Sequence, residues 1–317
     1  MIKIFSCSKN KIEEITPGEI NLKQKNQIWI ELCSPTQKEI DSIKKILHVH
    51  PTTEEDLLQN NTRVKYEEFG DGTFIVFKGI KHLETTDTET YNLSFLLGEN
   101  FLMTSHLEKN ETIDYLIENP KKMESLLKKG KDYILHYIID KETDKYMRIK
   151  NGISEEFKKT EKKFVRDLEK KTLEELFEKE MILLELRQLM ESVTDLCLNL
   201  IKPTDNYISN ELIPYFRDIY DHSFKTTESL KSMLGRINGM RNAYQSIISN
   251  KLNETMRILT LIMAIMMPMT IITGFYGMNV KLPLQNHPAV WIFLVGLMVG
   301  IAIIMFFVFR RVDSKFR

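Results

Sequence analysis

Apolar residues recur with a period of two through the first hundred positions, and with a helical period after them. Met1 to Cys7 and Gln27 to Leu32 alternate as strands do. Arg63 to Phe69 and Thr73 to Ile80 alternate on either side of Gly70-Asp71-Gly72, which predicts a hairpin. Thr88 to Leu97 and Phe101 to Ser105 repeat the arrangement around Gly98-Glu99-Asn100. Pro35 to Leu47 and Thr53 to Gln59 read as helices, the second capped by Thr52 or Thr53 with Glu54, Glu55 and Asp56 in its first turn, where acids suit the helix dipole. These elements predict an α/β domain over 1–108. From Glu111 to Ile201 the chain is rich in Glu, Lys, Leu and Ile, and 109–205 reads as a helical hairpin or coiled coil, its charges forming a solvated face. Pro203-Thr204-Asp205 breaks it.

Beyond the break only Pro214 and Pro268 interrupt a helical pattern that continues to Phe275. One helix of about 70 residues would be roughly 100 Å long, too long for the interior of a compact domain. Ile258 to Phe275 and Val290 to Phe309 are uncharged throughout, each close to the ~20 residues that cross a hydrocarbon core. Arg310, Arg311, Lys315 and Arg317 follow the second span, Lys251 and Arg257 precede the first, and the linker between them holds one base, Lys281. The positive-inside rule then puts both termini in the cytosol. The predicted segments are 206–257 as the cytosolic part of the long helix, 258–277 as the first span, 278–289 as an external loop, 290–309 as the second span and 310–317 as a basic cytosolic tail.

Composition narrows the function. Lys+Arg and Asp+Glu both total 44, so overall charge supplies no argument for nucleic-acid binding. Cys7, Cys33 and Cys197 are far apart and form no C-x-x-C pair, which fits reduced, structural cysteines rather than a thiolate metal site. The N-terminus carries no signal-type apolar run. There is no Gly-rich phosphate loop and no nucleophile–base pair in a catalytic context, so neither an ATPase nor another enzyme is expected.

Asn253, Met256, Thr260, Met263, Met267, Thr270 and Gly274 recur every three or four residues and share one face. Several copies around an axis would line a narrow, mostly apolar tube. The same small and polar residues also suit a helix-packing face, and the stripe alone fits either. Pro268 within the span frees the carbonyl of Ala264, which membrane helices tolerate where water or a neighbour satisfies it.

Tyr276-Gly277-Met278-Asn279 stands at the outer end of the first span, in the run Asn253-Glu254-Thr255-Met256, Met267-Pro268-Met269-Thr270, Gly274-Phe275-Tyr276-Gly277-Met278-Asn279. Here the chain resembles the CorA family of Mg2+ transport proteins, marked by Gly-Met-Asn before a short loop and a final span. Tyr215-Phe216-Arg217-Asp218-Ile219-Tyr220-Asp221-His222, His50-Pro51 with Glu55-Asp56-Leu57, and Tyr137-Ile138-Ile139-Asp140 also resemble family segments. The resemblance implies a funnel-shaped homopentamer in the cell membrane, whose long helix lines a pore and whose cargo is Mg2+, with Co2+ or Ni2+ as further candidates.

It also implies site residues. Gly277, Met278 and Asn279 form the selectivity filter, and Leu259 joins Met256 at an apolar constriction. A ring of neutral amides can accept hydrogen bonds from the waters that Mg2+ keeps, yet release the ion; alternatively Asn279 caps the helix beside Gly277. Cytosolic Mg2+ bridging Asp56 and Asp218, with Glu55 and Asp140 in a second site, would close the channel; the alternative is that these are ordinary surface acids. One departure from the family is that Val280 to Ala289 contains no Asp or Glu. Competing readings are a Zn2+, Co2+ or Ni2+ transporter of the same superfamily, to which His287 would point, and a membrane-anchored coiled-coil scaffold without transport.

Overall fold

The computed structural model describes the chain except residues 9–10, 23–25, 48, 60–61, 71, 82–88, 167–169, 203–206, 281–288 and 317, and except the side chains of 165, 170, 172 and 312–316. Asp71, the Pro203-Thr204-Asp205 break, Lys281 and His287 therefore lie outside the described residues. The chain divides into two units, Met1–Gly239 and Met240–Arg317.

The first unit is built on a seven-stranded sheet. Its strands are β1 (Ile2–Ser8), β2 (Lys11–Glu14), β3 (Gln27–Cys33), β4 (Lys65–Phe69), β5 (Gly72–Ile80), β6 (Thr90–Leu97) and β7 (Phe101–His106), in spatial order β2-β1-β3-β7-β6-β5-β4. Neighbours are antiparallel except β3 and β7, which run parallel with Trp29 opposite Leu102. A parallel pair needs a crossover, and the chain between them supplies α1 (Gln37–Lys44), α2 (Pro51–Leu58) and the β4–β6 meander. Strands β5 and β7 are buried at every position, as expected of a sheet covered on both faces. On one face Ile40 and Ile43 of α1 and Leu57 of α2 pack with Ile28, Ile30, Phe74, Val76 and Met103.

The helix at 51–58 starts earlier than the sequence suggests. His50 is its N-cap, accepting from the Thr52 amide at 3.4 Å, and Pro51 takes the first helical position. Proline is pre-set for that position and needs no partner for its missing N–H, so the Thr52 or Thr53 cap is displaced.

The other helices of this unit are α3 (Glu111–Glu118), α4 (Pro120–Leu127), α5 (Lys131–Arg166) and α6 (Lys170–Leu200). Tyr146 of α5 donates to the Lys78 carbonyl of β5 at 3.0 Å and meets Phe77 edge-on. Gly79 lets Tyr91 lie across β5: a Cβ there would sit 2.4 Å from the Tyr91 ring. A buried network closes the joint. The Glu142 carboxylate accepts from Lys145 (2.9 Å), Thr112 (2.8 Å) and Asn110 (3.0 Å), and Asn110 donates to the Tyr91 hydroxyl at 2.6 Å. Every member has a partner, as burial of a charge demands. Helices α5 and α6 run antiparallel, with Lys163–Glu175 and Lys179–Glu156 pairs at 2.9 and 2.8 Å on their flanks. Burial in their seam pushes the Cys197 thiol up to about 12, leaving it unreactive.

One unbroken helix, α7 (Ile213–Tyr276), has 64 residues and so is about 96 Å long. Pro268 lies inside it without ending it. The last helix, α8, is Val290–Phe316. Both contain an apolar window long enough to cross a membrane, and neither window is buried by the chain itself.

Candidate ion path and acidic sites

Within the second unit, α7 carries one partly covered stripe. Leu261, Ala264, Ile265, Pro268, Met269, Ile272 and Tyr276 are half-buried, at helical spacing. Met256, Thr260, Met263, Met267, Thr270 and Gly274 are exposed. At 3.6 residues per turn these two stripes point in roughly opposite directions. The face singled out from the sequence is therefore the one the chain leaves uncovered; Met267 is 66% exposed. Leu259 and Asn253 are exposed at its edges.

The threonines on this face are oriented by their own helix. Thr260 donates to the Met256 carbonyl at 2.8 Å and Thr270 to the Met266 carbonyl at 2.9 Å. Their protons are thus engaged, and the outward lone pairs can only accept. Such a surface matches a hydrated cation, whose bound waters are donors. The same face continues toward the N-terminus as Asn242, Gln245 and Ser249, all exposed and uncharged. Sequence reasoning missed these three, although extending the stripe by its own period would have reached them.

The helix ends in Gly277-Met278-Asn279. The Gly277 amide donates to the Thr273 carbonyl at 2.9 Å and the Met278 amide to the Phe275 carbonyl at 3.3 Å. A Cβ on Gly277 would lie 2.9 Å from the Thr273 oxygen, so glycine suits this tight exit. Asn279 follows in an exposed bend, and among the described residues its amide has no hydrogen-bond partner. The backbone closes the helix without it.

The four acids occupy different settings, all in the first unit. Asp56 is on α2, and only 14% of its side chain is exposed. Its Oδ2 pairs with the Lys65 ammonium and its Oδ1 accepts from the Thr62 hydroxyl at 3.2 Å. Lys65 also contacts Glu67 at 3.2 Å. Burial alone would push the Lys65 ammonium down, but the hydrogen bonds to Asp56 and Glu67 outweigh it and hold it above the usual lysine range. Glu55 accepts from Gln59 at 2.9 Å. Asp140 on α5 pairs with Lys141 at 3.2 Å, and Asp218 on α7 with His222 at 3.6 Å. Among the described residues no three carboxylate, imidazole or thiol groups converge as a metal site within one chain.

The structure does bring Asp140 and Asp218 to one side chain, His136, which the sequence did not flag. Its ring lies edge-on to Tyr215 and Phe216 at 5.6 and 5.3 Å. Burial pushes the imidazole down, while Asp140, the Tyr215 backbone and Asp218 pull it partly back. Asp56 makes its contacts elsewhere, with Lys65 and Thr62. Its carboxylate is not open to a cation in this arrangement.

An α/β unit, a helix about 96 Å long whose uncovered apolar end leads into Gly-Met-Asn, and a second uncovered apolar helix after that tripeptide define a divalent-cation transport protein of the membrane. The comparisons are specific. The family model described as CorA-like Mg2+ transporter protein matches residues 24–311, and the chain belongs to that family. It is 28% identical over 254 residues to the cobalt/magnesium transport protein CorA of Thermotoga maritima, covering 79% of this chain and 72% of that one. It is 25% identical to the CorA of Methanocaldococcus jannaschii over 98% and 99% of the two chains. The complete structure of the CorA magnesium transporter from Methanocaldococcus jannaschii superposes with a TM-score of 0.76 at 24% identity, covering 98% of both chains.

Proposed function

We propose that this chain is one subunit of a homopentameric channel that passes hydrated Mg2+ into the cytosol, with Co2+ as a second cargo. The observation that carries the reading is the uncovered stripe of α7, which leads to an exposed Asn279 at the end of the helix. In this reading 258–277 and 290–309 span the membrane, 278–289 is external, and 1–257 and 310–317 are cytosolic. Five copies turn the Asn253–Gly274 stripe and the Asn242–Ser249 extension toward a common axis. Mg2+ keeps most of its waters; Asn279 amides and threonine oxygens accept from those waters without binding the ion tightly. Met256 and Leu259 form an apolar constriction that closes by dewetting. A divalent ion gains about 4.6 kcal/mol per 100 mV of inward-negative potential, so no ATP is needed. Co2+ enters because the Thermotoga maritima and Methanocaldococcus jannaschii relatives are named cobalt/magnesium transport proteins. Closing by cytosolic Mg2+ is assigned to bridges between copies, through Asp56 with Asp218 and through Glu55 with Asp140.

The test is uptake into proteoliposomes under a set potential. Mg2+ should enter faster with an inward-negative potential, Co2+ should compete, and Asn279→Ala should abolish selective Mg2+ uptake. Unchanged uptake and selectivity in that variant would remove Asn279 from the filter. No flux of Mg2+, Co2+ or Zn2+ in the parent protein would favour a scaffold.

A further inference from the structure

The proposed sensor contains a carboxylate that is already occupied. Asp56 is the sixth residue of α2, and both of its oxygens are engaged within the chain, Oδ2 by the Lys65 ammonium and Oδ1 by the Thr62 hydroxyl. The pair is set into the fold rather than laid on its surface: the two side chains are 14% and 15% exposed. Lys65 is the first residue of β4, and its ammonium lies over the fully buried Phe74 ring at 5.3 Å. Its stem is therefore held, and the charge is delivered to Asp56 at little further entropic cost. An ammonium presents donor hydrogens to a carboxylate, as the waters around Mg2+ do. The two cations ask for the same lone pairs.

We infer that Lys65 is a tethered cation that occupies the Asp56 carboxylate and competes with the divalent ion there, setting the Mg2+ concentration at which the sensor responds. This rests on the sensing role proposed for Asp56. A metal ion can bind only the fraction of chains in which the lysine has swung away, and its apparent affinity falls by that fraction. Glu67, the other partner of the ammonium at 3.2 Å, offers Lys65 a place to go when Mg2+ arrives, so the exchange leaves no charge stranded.

The experiment is limited proteolysis of the full-length protein in detergent over a Mg2+ series. Chymotrypsin is the protease, because Lys65 is itself a trypsin site. Lys65→Gln should lower the half-protecting Mg2+ concentration about tenfold. Asp56→Asn should raise it, and adding Lys65→Gln to Asp56→Asn should then produce no further fall. Lys65→Arg keeps the charge and should leave the midpoint at or above that of the parent; it serves where Lys65→Gln does not fold. A midpoint that is unchanged or raised in folded Lys65→Gln, or lowered in Lys65→Arg, would overturn the inference while leaving the sensor standing. Parent protein whose protection ignores Mg2+ would overturn the sensing reading, and the competition with it.

Discussion

The two halves of α7 share one helix and much of one residue alphabet, yet differ in what covers them. From Phe216 to Ile237 one face is buried; from Met240 to Tyr276 no residue is. The buried face mixes Leu230 and Met233 with Ser223 and Thr227, and Thr227 donates to the Ser223 carbonyl at 3.0 Å. The uncovered face mixes Met263 and Met267 with Thr260 and Thr270, and those threonines bond back to their own helix in the same way. Residue type therefore cannot tell a packed face from one the chain leaves bare. Coverage can: a stripe that the chain leaves bare opposite its own packed side is available to copies, lipid or ions.

The largest effect that would sharpen this contrast is on stability. Phe216 is fully buried, so Phe216→Ala should cost about 3–5 kcal/mol, from lost burial plus the cavity left behind. Met267→Ala should stay within about 0.5 kcal/mol, as for exposed positions, while altering uptake. Denaturant melts of the two variants in detergent decide it. Equal losses would mean that the upper half is packed as tightly as the lower one.

How much of this was legible beforehand follows from the range of the interactions. The strands β5, β6 and β7 were readable because short apolar runs bounded by turn residues are a local signal; the period of the α7 stripe was readable too, but not that the chain leaves it bare. Strand β2 was missed because Lys11-Ile12-Glu13-Glu14 has a single apolar residue and is an exposed edge. The start of α2 was misjudged because Pro51 outcompeted the threonines as a start signal. The Lys65–Asp56 pair and the meeting of Asp140 and Asp218 at His136 were invisible for a different reason. They join separate elements, and no spacing rule connects residues that only the tertiary fold brings together.

A smaller effect probes the threonine oxygens. Thr270→Val keeps the shape and removes the acceptor. Losing a single water-mediated bond to the passing ion, worth about 1 kcal/mol, slows uptake about fivefold, so loss of the acceptor from every subunit should slow Mg2+ uptake at least fivefold and leave the melt unchanged. Thr227→Val, in the buried half, should leave uptake unchanged. Uptake unaffected by Thr270→Val would remove that hydroxyl from the ion path.

The smallest effect is a pH dependence, whose acid side reports on the buried half of α7 through His136. His136 sits where α5 meets α7, facing Asp140 and Lys141 from α5 and Asp218 from α7. Burial lowers its folded-state pKa below the ordinary 6.5, against the partial pull of the carboxylates. Between the folded value and 6.5 the unfolded chain binds the proton and the folded chain does not, so stability rises with pH through that window. The contribution is complete above about pH 6.5 and is lost as pH falls through the window. His106 acts in the opposite direction. It is buried between the Glu31 carboxylate at 2.6 Å and the Glu108 carbonyl at 2.5 Å. Burial pushes it down, but these bonds outweigh burial and raise its pKa, so its contribution is complete below 6.5 and fades as pH rises through the folded value. Melts of full-length protein from pH 5 to 8 should therefore lose their acid-side slope in His136→Gln and keep the alkaline one. An unchanged acid-side slope would mean that His136 is solvated and that α7 meets α5 less closely than the ring contacts indicate.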